Sequence, residues 1–351
     1  MFIIRCNGGK SIQGEITMKK KMIMLVLAMM LVLTACGEGK TETTQSSQGA
    51  GGLEPIKLML DYTPNTNHTG LYVAQQLGYF TEEGLDVEII APAQSGTTAS
   101  VATNNIQFGI SVQENVTLAR VAGLPVVSLA AIIQHNTSGF ASPVEKNITS
   151  PKDFEGKIYG GWGSPIEEAT IHSIMNADEA DFNKLSIINM GDSDFFSAVK
   201  RDIDFAWIYY AWTGIEAELR QEELNMIYLQ DYDKALDFYT PVVITNETML
   251  NEHSDQVQKF MNAVKRGYEY AIANPDEAAN LLLQAVPDLN ADLVKASQQW
   301  LSTRYQDDAS YWGEQQLSVW KGYADWMFEH GFLEAELEAE KAFTNKYISG
   351  E

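Results

Sequence analysis

The sequence predicts an α/β fold, because short apolar runs alternate with segments whose apolar residues follow helical spacing. The predicted strands lie at 56–60, 87–90, 108–111, 126–133, 157–159, 185–189, 205–209, 226–229 and 241–245. The helices between them are predicted at 68–80, 96–103, 113–122, 165–177, 194–200 and 214–222. This alternation is typical of βαβ units on a mostly parallel sheet. The rest of the chain is predicted to be helical, at 255–273, 275–284, 291–302, 314–330 and in a charged tail near 333–341.

The N-terminal residues have the pattern of a lipoprotein signal peptide. Lysines at 19–21 precede an apolar run of about a dozen residues, which is too short to span a bilayer as a helix. The run ends in Leu-Thr-Ala-Cys, which looks like a bacterial lipobox, so we expect a signal peptide over 1–35 and lipidation of Cys36. Residues 1–17 do not fit such a signal, which favours Met18 as the true start. The alternative is an ordinary signal peptide with an incidental cysteine.

Composition limits the classes of partner that the chain can have. Residues 36–53 are rich in Gly, Ser, Thr and Gln and predict a flexible tether, so the folded part should begin near Glu54. In the whole chain, 47 acidic residues against 24 Lys and Arg give a net charge of −23, which argues against nucleic acid or an anionic membrane surface as the main partner. The two cysteines are Cys6 and Cys36, so the mature domain would have no thiol for a disulfide, a metal or catalysis.

The loop at 61–68 (DYTPNTNH) is the leading candidate for a ligand site. It joins a buried strand to a helix, and ligands of open α/β sheets bind at the carboxyl ends of strands, beside helix N-termini. Side chains able to bind a small molecule are concentrated there, at Asp61, Tyr62, Asn65 and His68. The alternative role for this loop is turn formation, which Asp, Asn and Pro achieve by themselves.

Six further candidates lie where strands end or where loops lead into helices. They are Gln113, Trp162, Glu167, Tyr209, Asp237 and Tyr239. Trp162 has glycine neighbours that would let the backbone approach a ligand, and it offers a face for stacking, as do Tyr62 and Tyr239. Packing of these rings on their own lobe is the alternative.

The polar candidates have structural alternatives as well. Ser164 followed by Pro165 predicts a helix start, so the Glu167 carboxylate could serve the helix dipole instead of a ligand. Asp237 could equally cap a turn before the strand that follows it. Gln113 ends the third strand, and Glu114 is a weaker candidate because it lies one position further into the helix.

No motif of a known enzyme class is present in the sequence. The chain has no G-x-S-x-G elbow, H-E-x-x-H, Walker A loop or EF-hand loop, and its five histidines are dispersed without metal-ligand spacing. The sequence therefore predicts a protein that is not an enzyme, without catalytic residues, metal or cofactor.

Several runs resemble one family of binding proteins. They are 60–68 (LDYTPNTNH), 70–74 (GLYVA), 78–80 (GYF), 84–87 (GLDV), 123–126 (GLPV), 160–165 (GGWGSP), 204–206 (DFA), 237–241 (DFYTP) and 274–275 (NP). Together they are similar to the extracytoplasmic substrate-binding proteins of ABC importers, and in particular to the thiamine-pyrimidine family, over nearly all of 55–348. The GYF and GLDV runs are shared with sulfonate, nitrate and taurine receptors, whereas 64–68 and 160–165 point to the pyrimidine branch.

The resemblance implies a two-lobed periplasmic-binding-protein-like fold. Two Rossmann-like α/β lobes would be joined by two crossover strands, near 139–141 and 239–241, with a helical C-terminal part. Lobe one would comprise 55–140 and 241–351, and lobe two 141–240.

The resemblance also implies a ligand and partners. The ligand would be the aminopyrimidine N-formyl-4-amino-5-aminomethyl-2-methylpyrimidine, salvaged from degraded thiamine and bound between the lobes. A monomeric lipoprotein at the outer face of the bacterial cell membrane, held there by its lipid alone, would deliver it to ABC permease and ATPase subunits.

Two alternatives to this function remain open. A sulfonate, taurine or nitrate receptor would need Arg, Lys or clustered backbone N–H donors, and the candidate loops contain almost none. The yeast-type members of the family are synthases that use a donor His, pyridoxal phosphate, iron and a Cys-rich run. This chain has Asn115 in place of the donor His, and 237–242 contains no Cys.

Overall fold

The computed structural model of the chain describes residues 52–191 and 193–349. The predicted signal peptide, the doubtful start at 1–17, the lipidation site Cys36 and the tether before Gly52 lie outside these residues. The described residues belong to one compact unit. None of the helices described is long and apolar enough to cross a membrane.

The described residues form ten strands in two five-stranded sheets. The strands are β1 (Glu54–Met59), β2 (Leu85–Ile90), β3 (Phe108–Ser111), β4 (Val126–Ala131), β5 (Ser138–Pro143), β6 (Ile158–Gly161), β7 (Ser186–Asn189), β8 (Phe205–Tyr209), β9 (Leu224–Tyr228) and β10 (Val242–Asn246). Their order is β2-β1-β3-β10-β4 in the first sheet and β7-β6-β8-β5-β9 in the second.

Both sheets are mixed, but four of the five strands in each run in the same direction, so the prediction of a mostly parallel sheet is confirmed. In the first sheet, β1 is parallel to β2 and β3, whereas β10 runs antiparallel to β3 and β4. The second sheet repeats this pattern, with β6 parallel to β7 and β8 and with β5 antiparallel to β8 and β9. The antiparallel strands β5 and β10 are those that enter a sheet directly from the other sheet, without the crossover helix that a parallel connection requires.

Twelve α-helices of four or more residues cover the sheets or follow them, counted over the described ranges. They are α1 (Thr69–Gln76), α2 (Tyr79–Glu82), α3 (Thr97–Ala102), α4 (Gln113–Val121), α5 (Pro165–Ala177), α6 (Phe195–Val199), α7 (Ile215–Arg220), α8 (Glu247–Glu252), α9 (Ser254–Ala273), α10 (Pro275–Ala285), α11 (Ala291–Ser302) and α12 (Leu317–Glu329). The helix predicted over 68–80 is divided between α1 and α2, because Gly78 adopts a left-handed conformation with a φ of 75°.

The predicted tail helix near 333–341 is wrong. The chain forms only a single 3-10 turn there, Ala339–Lys341. Glutamates at 334, 336, 338 and 340 would place like charges four residues apart on a helix, which is unfavourable. The buried side chains Leu333, Ala339 and Ala342 instead anchor the segment to the rest of the protein.

The chain crosses between the sheets twice, after β4 and after β9. The two crossing segments are bonded to each other, since the Ile132 amide donates to the Pro241 carbonyl at 2.9 Å. The Asn136 side-chain amide also donates to the Leu236 carbonyl, at 2.9 Å. The predicted crossing at 139–141 falls within β5, and the assignment of residues to two lobes stays a prediction.

The C-terminal helices pack on both sheets. Helix α9 contributes Phe260, whose ring stacks on Phe108 of β3 with centroids 3.8 Å apart. Helix α12 instead contributes Tyr323 and Trp326 to the core that covers the second sheet, where Tyr323 stacks on Phe238 at 4.1 Å. Part of the segment that the sequence assigned to lobe one therefore packs against residues assigned to lobe two.

Candidate ligand-binding site

The loop after β1 is shaped by its own polar side chains. Asn65 caps the short helical turn Thr66–His68, and its side-chain oxygen accepts a hydrogen bond from the Asn67 amide at 2.9 Å. Its side-chain amide donates to the Thr63 carbonyl at 3.0 Å. Asn65 thus forms the turn, which is the structural alternative that the sequence left open.

His68 lies beneath this loop and has no exposed surface. Its Nε2 lies 2.8 Å from Oδ1 of Asp61, and its Nδ1 accepts a hydrogen bond from the Asn65 amide at 3.2 Å. The predicted direct contact between His68 and a ligand is therefore not available in this structure, because both ring nitrogens are bonded and the ring is enclosed.

Asp61 and Tyr62, by contrast, are open to solvent. The Asp61 side chain keeps 25% of its surface exposed, and the hydrogen bonds within the described chain use only its Oδ1. Tyr62 is 60% exposed, which is unusual for an aromatic side chain. The loop therefore presents a free carboxylate oxygen and a free aromatic ring side by side.

Trp162 provides a second open ring, in the loop between β6 and α5. It is 47% exposed, and its ring lies 5.3 Å from that of Trp207 on β8. Gly163 follows with a φ of 87°, a conformation that glycine adopts without strain. The buried indole nitrogen of Trp207 has no hydrogen-bond partner among the described residues.

Glu167 supports the Trp162 loop from within. It is buried, it forms a capping box with Ser164 at the start of α5, and it accepts hydrogen bonds from the Gly163 amide at 3.0 Å and from the Tyr159 hydroxyl. Burial, together with the Glu167 charge, raises the pKa of Tyr159. These contacts occupy both Glu167 oxygens, so its observed role is structural.

Tyr209 ends β8 and connects the two sheets electrostatically. It is 42% exposed, yet surrounding protein raises its pKa to about 12; a hydrogen bond with Thr240 lowers this value, and the negative charges of Glu114 and Asp61 raise it. Tyr209 therefore has an open face while the rest of its ring is packed against protein atoms. The charges that act on it come from the first sheet.

Glu114 is a better cleft candidate than its neighbour Gln113. Glu114 is partly exposed in the first turn of α4, burial raises its pKa, and the Tyr323 hydroxyl donates to its Oε2 at 3.1 Å. Gln113 is fully buried, where it accepts from the Tyr239 amide at 2.8 Å and donates to the Val319 carbonyl at 3.1 Å. The ranking predicted from the sequence is therefore reversed.

Tyr239 is buried too, and the predicted stacking face is covered. Its hydroxyl accepts a hydrogen bond from the Gln316 amide at 2.9 Å, and its carbonyl accepts one from the Gln113 amide at 3.0 Å. The residue attaches the second crossing segment to the first sheet and to the start of α12.

The open residues follow the carboxyl ends of paired parallel strands. Asp61 and Glu114 follow β1 and β3, which are neighbours in the first sheet, and Trp162 and Tyr209 lie at the ends of β6 and β8, which are neighbours in the second. The negative charges of both carboxyl groups help to raise the pKa of Tyr209, so groups that follow strands of the two sheets lie within electrostatic range of one another. The site combines aromatic faces with carboxyl groups, and none of these residues is a cation.

Comparison with known proteins identifies the family. A family model described as NMT1/THI5 like matches residues 65–278, which is more than half of the chain. The chain belongs to the NMT1/THI5-like family. This confirms the family that the sequence runs predicted.

The curated relatives of this NMT1/THI5-like chain include binding proteins and enzymes. It is 31% identical to the formylaminopyrimidine-binding protein of Halalkalibacterium halodurans, over 93% of this chain and 98% of that protein. It is 23% identical to the riboflavin-binding protein RibY of Chloroflexus aurantiacus, over 95% and 99%. It is 25% identical to the 4-amino-5-hydroxymethyl-2-methylpyrimidine phosphate synthase THI11 of Saccharomyces cerevisiae, over 84% and 88%.

A solved structure shows the same fold. The alkanesulfonate-binding protein SsuA of Xanthomonas axonopodis pv. citri matches with a TM-score of 0.64 at 11% identity, over 84% of this chain and 99% of that one. The predicted two-lobed periplasmic-binding-protein-like α/β fold is thereby confirmed. Identity this low carries no information on the ligand.

In this family member, Asp237 belongs to the crossing segments rather than to the open surface. Its Oδ2 lies 2.7 Å from Nδ1 of His135, and its Oδ1 accepts from the Asn136 amide at 2.8 Å. The Nε2 of His135 lies 3.2 Å from Asp308. Hydrogen bonding to Asp237 is the main cause that raises the pKa of His135 to about 9, so this ring is charged at neutral pH.

One described group of side chains has the composition of a metal site. Ligand atoms of His135, Asp307 and Asp308 all lie within 4.8 Å of one another. Both nitrogens of His135 already face carboxylates, so the group is accounted for as an ion-pair cluster. The predicted absence of a metal stays a prediction.

Sequence reasoning undervalued two residues of the site. Trp207 was not among the candidates named from the sequence, but it is half-buried and its ring lies beside that of Trp162. Glu114 was ranked second because of its position in α4. The sequence did contain a feature that favours Glu114 as a site residue: it is a carboxylate in the first turn of a helix that directly follows a strand end.

Proposed function

We propose that this chain is the substrate-binding component of an ABC importer, which captures a thiamine-related aminopyrimidine between two lobes. The ligand that fits best is N-formyl-4-amino-5-aminomethyl-2-methylpyrimidine. The observation that carries the proposal is the cleft composition, in which the open rings of Tyr62, Trp162 and Tyr209 accompany the carboxyl groups of Asp61 and Glu114. The formylaminopyrimidine-binding relative supports it.

The chemistry of an aminopyrimidine matches such a cleft. A flat ring gains from aromatic faces on which it can stack, and open tyrosine and tryptophan rings supply these at low conformational cost. The exocyclic amino group donates hydrogen bonds, for which carboxylates are strong acceptors. Contacts from both lobes would form together only when the cleft is closed, so the ligand would shift the population toward the closed form.

The alternative anion receptor is disfavoured by charge. A sulfonate or nitrate would meet the negative charges that surround Tyr209, without an Arg or Lys among the open residues to compensate them. The alternative synthase is disfavoured by Asn115, which is exposed on α4 where the enzymes would have their donor His, and by the lack of Cys in 237–242. We therefore propose a binding protein that is not an enzyme.

The remaining parts of the proposal concern location and partners. The lipobox pattern supports cleavage before Cys36 and attachment of a monomeric lipoprotein to the outer face of the bacterial cell membrane. Delivery to ABC permease and ATPase subunits follows from the same assignment.

A calorimetric titration of the chain from Gly52 onward tests the function. The ligands are the formylaminomethyl pyrimidine, its hydroxymethyl form, thiamine, riboflavin and taurine. We expect tight binding of a pyrimidine. Binding of riboflavin or taurine alone would be consistent with a receptor but would contradict the proposed pyrimidine ligand. No binding of any of the five compounds would contradict the proposed ligand class.

Variants locate the site in the same assay. Trp162→Ala should weaken pyrimidine binding about tenfold or more, since a stacked aromatic contact is worth on the order of 1.4 kcal/mol. Asp61→Ala should weaken it similarly by removing a charge-assisted acceptor. Phe328→Ala is the matched control, because Phe328 is also an exposed aromatic residue (40% exposed, on α12) but is not one of the proposed site residues. Normal binding by both folded cleft variants would place the site elsewhere.

A further inference from the structure

His68 is close to the proposed site but enclosed beneath it. The turn that carries it is fixed from below, since the Tyr268 hydroxyl donates to the Asn67 carbonyl at 2.7 Å and the Tyr305 hydroxyl donates to the Thr66 carbonyl at 2.6 Å. The ring is fully buried, as are Tyr268 and Tyr305. A ring held in this way has one orientation available.

Hydrogen bonding assigns the proton of this ring. Nδ1 faces the Asn65 amide at 3.2 Å, and an atom that accepts from an N–H carries no proton itself. The proton therefore lies on Nε2, which donates to Oδ1 of Asp61 at 2.8 Å. His68 thus joins the turn cap on one side to the Asp61 carboxylate on the other.

We propose that His68 is a positioning residue that orients Asp61, so that the site selects ligands presenting an N–H donor, such as the amino group of an aminopyrimidine. This inference rests on the proposed function. With Oδ1 taken by His68, Oδ2 is the oxygen left for a ligand, and a carboxylate oxygen only accepts. A carbonyl in place of the ligand's amino group would set two acceptors against each other, and such mismatches are strongly rejected.

Asp61→Asn tests the orientation by reversing the preference. The His68 N–H would hold the amide oxygen of the new side chain on its own side and turn the amide NH₂ toward the ligand. We expect the amino pyrimidine to lose about tenfold or more in affinity and the 4-oxo analogue to gain about as much. An unchanged preference would overturn the proposal, since the ligand would then not contact this oxygen.

A pair of variants at position 68 separates positioning from a purely structural role. In the Asp61→Asn background, His68→Gln retains an N–H donor near the Nε2 position, whereas His68→Asn retains an acceptor near Nδ1 for the turn cap but no donor to residue 61. We expect the reversed preference to persist with His68→Gln and to disappear with His68→Asn. Persistence in both variants, with folding confirmed by urea denaturation, would show that His68 serves only the turn.

A measurement without ligand keeps this inference distinct from the proposed function. Ring ¹⁵N chemical shifts of His68 should show a protonated Nε2 and an unprotonated Nδ1, and Asp61→Ala should move the Nε2–H resonance. The opposite tautomer, or no response to Asp61→Ala, would overturn the positioning role whatever the ligand is. If the expected shifts appear but wild-type protein binds no pyrimidine, the positioning role stands and the proposed function fails.

Discussion

The ion pair between the crossing segments should make stability depend on His135. We consider the substitution His135→Asn, which removes the charged ring that faces Asp237 at 2.7 Å and Asp308 at 3.2 Å. The pKa of His135 rises from 6.5 to about 9. A shift of this size corresponds to an upper bound of about 3.4 kcal/mol at about 1.36 kcal/mol per unit. The His135 side chain is 40% exposed and that of Asp308 is 76% exposed, so solvent screening reduces the expected contribution to about 1–2 kcal/mol.

The sign of the pH dependence follows from the raised pKa. A histidine whose pKa is higher in the folded state contributes its full stabilisation below the unfolded value of 6.5, and loses it as pH rises through about 9. The wild type should therefore exceed His135→Asn in free energy of unfolding by about 1–2 kcal/mol near pH 6, and this excess should vanish near pH 10.

Urea denaturation of both proteins at the two pH values measures this difference. Other groups that titrate in this range cancel when the variant is subtracted from the wild type. His172→Asn is the matched control, because His172 is exposed on α5 and its ring contacts within the described chain, with Phe182 and Asn176, include no carboxylate. If the wild type exceeds His135→Asn in free energy of unfolding by the same amount near pH 6 and near pH 10, the reasoning is refuted.

Two further predictions concern buried contacts around the site. Glu167→Ala should lower the free energy of unfolding by about 2–4 kcal/mol, because it leaves the cap of α5 and the Tyr159 hydroxyl without their acceptor. Glu168→Ala on the same turn is the control and should change the free energy of unfolding by less than about 0.5 kcal/mol. Equal effects of the two variants in urea denaturation would contradict this prediction. Gly139→Ala should lower the free energy of unfolding by about 1–3 kcal/mol, since the added Cβ would collide with the Ile227 carbonyl oxygen of the paired strand. Gly322→Ala, whose Cβ would meet nothing within 4 Å, should instead stabilise α12 by about 0.5–1 kcal/mol. A Gly139→Ala protein as stable as wild type in urea denaturation would contradict the close strand pairing.

Much of the fold could be predicted because local signals agree with tertiary packing. The strand Phe108–Ser111 and the helix Pro165–Ala177 have the predicted bounds, the first from an apolar run that is buried on both faces and the second from Ser164 and Pro165 at its start. The residue pattern alone did not predict strand β5 (Ser138–Pro143), since its Gly, Ser and Pro lack strand propensity, and only the family resemblance implied a crossover strand near 139–141. Pairing with β8 on one side and β9 on the other imposes its conformation.

The candidate site was predictable only as a region. Sequence patterns placed the candidate side chains at strand ends, but Gln113 and Glu114 are neighbours there, and which of them is open depends on the packing of Tyr239 and α12. Those partners lie more than a hundred residues further along the chain, beyond the reach of any local pattern. Exposure in the folded chain was therefore the property that separated binding candidates from structural residues.

Two Asp–His pairs show how similar residues acquire different roles. His135 is charged and lies between two carboxylates, so Asp237 joins the two crossing segments and Asp308 attaches them to the loop between α11 and α12. His68 is enclosed, its Nδ1 is occupied by the Asn65 amide, and it engages a single oxygen of Asp61. In the first arrangement Asp237 and Asp308 stabilise the fold, whereas in the second Oδ2 of Asp61 remains available to a ligand. The proposed capture of an amino-bearing ring would require both features: crossing segments that stay paired, and an acceptor that is fixed before the ligand arrives.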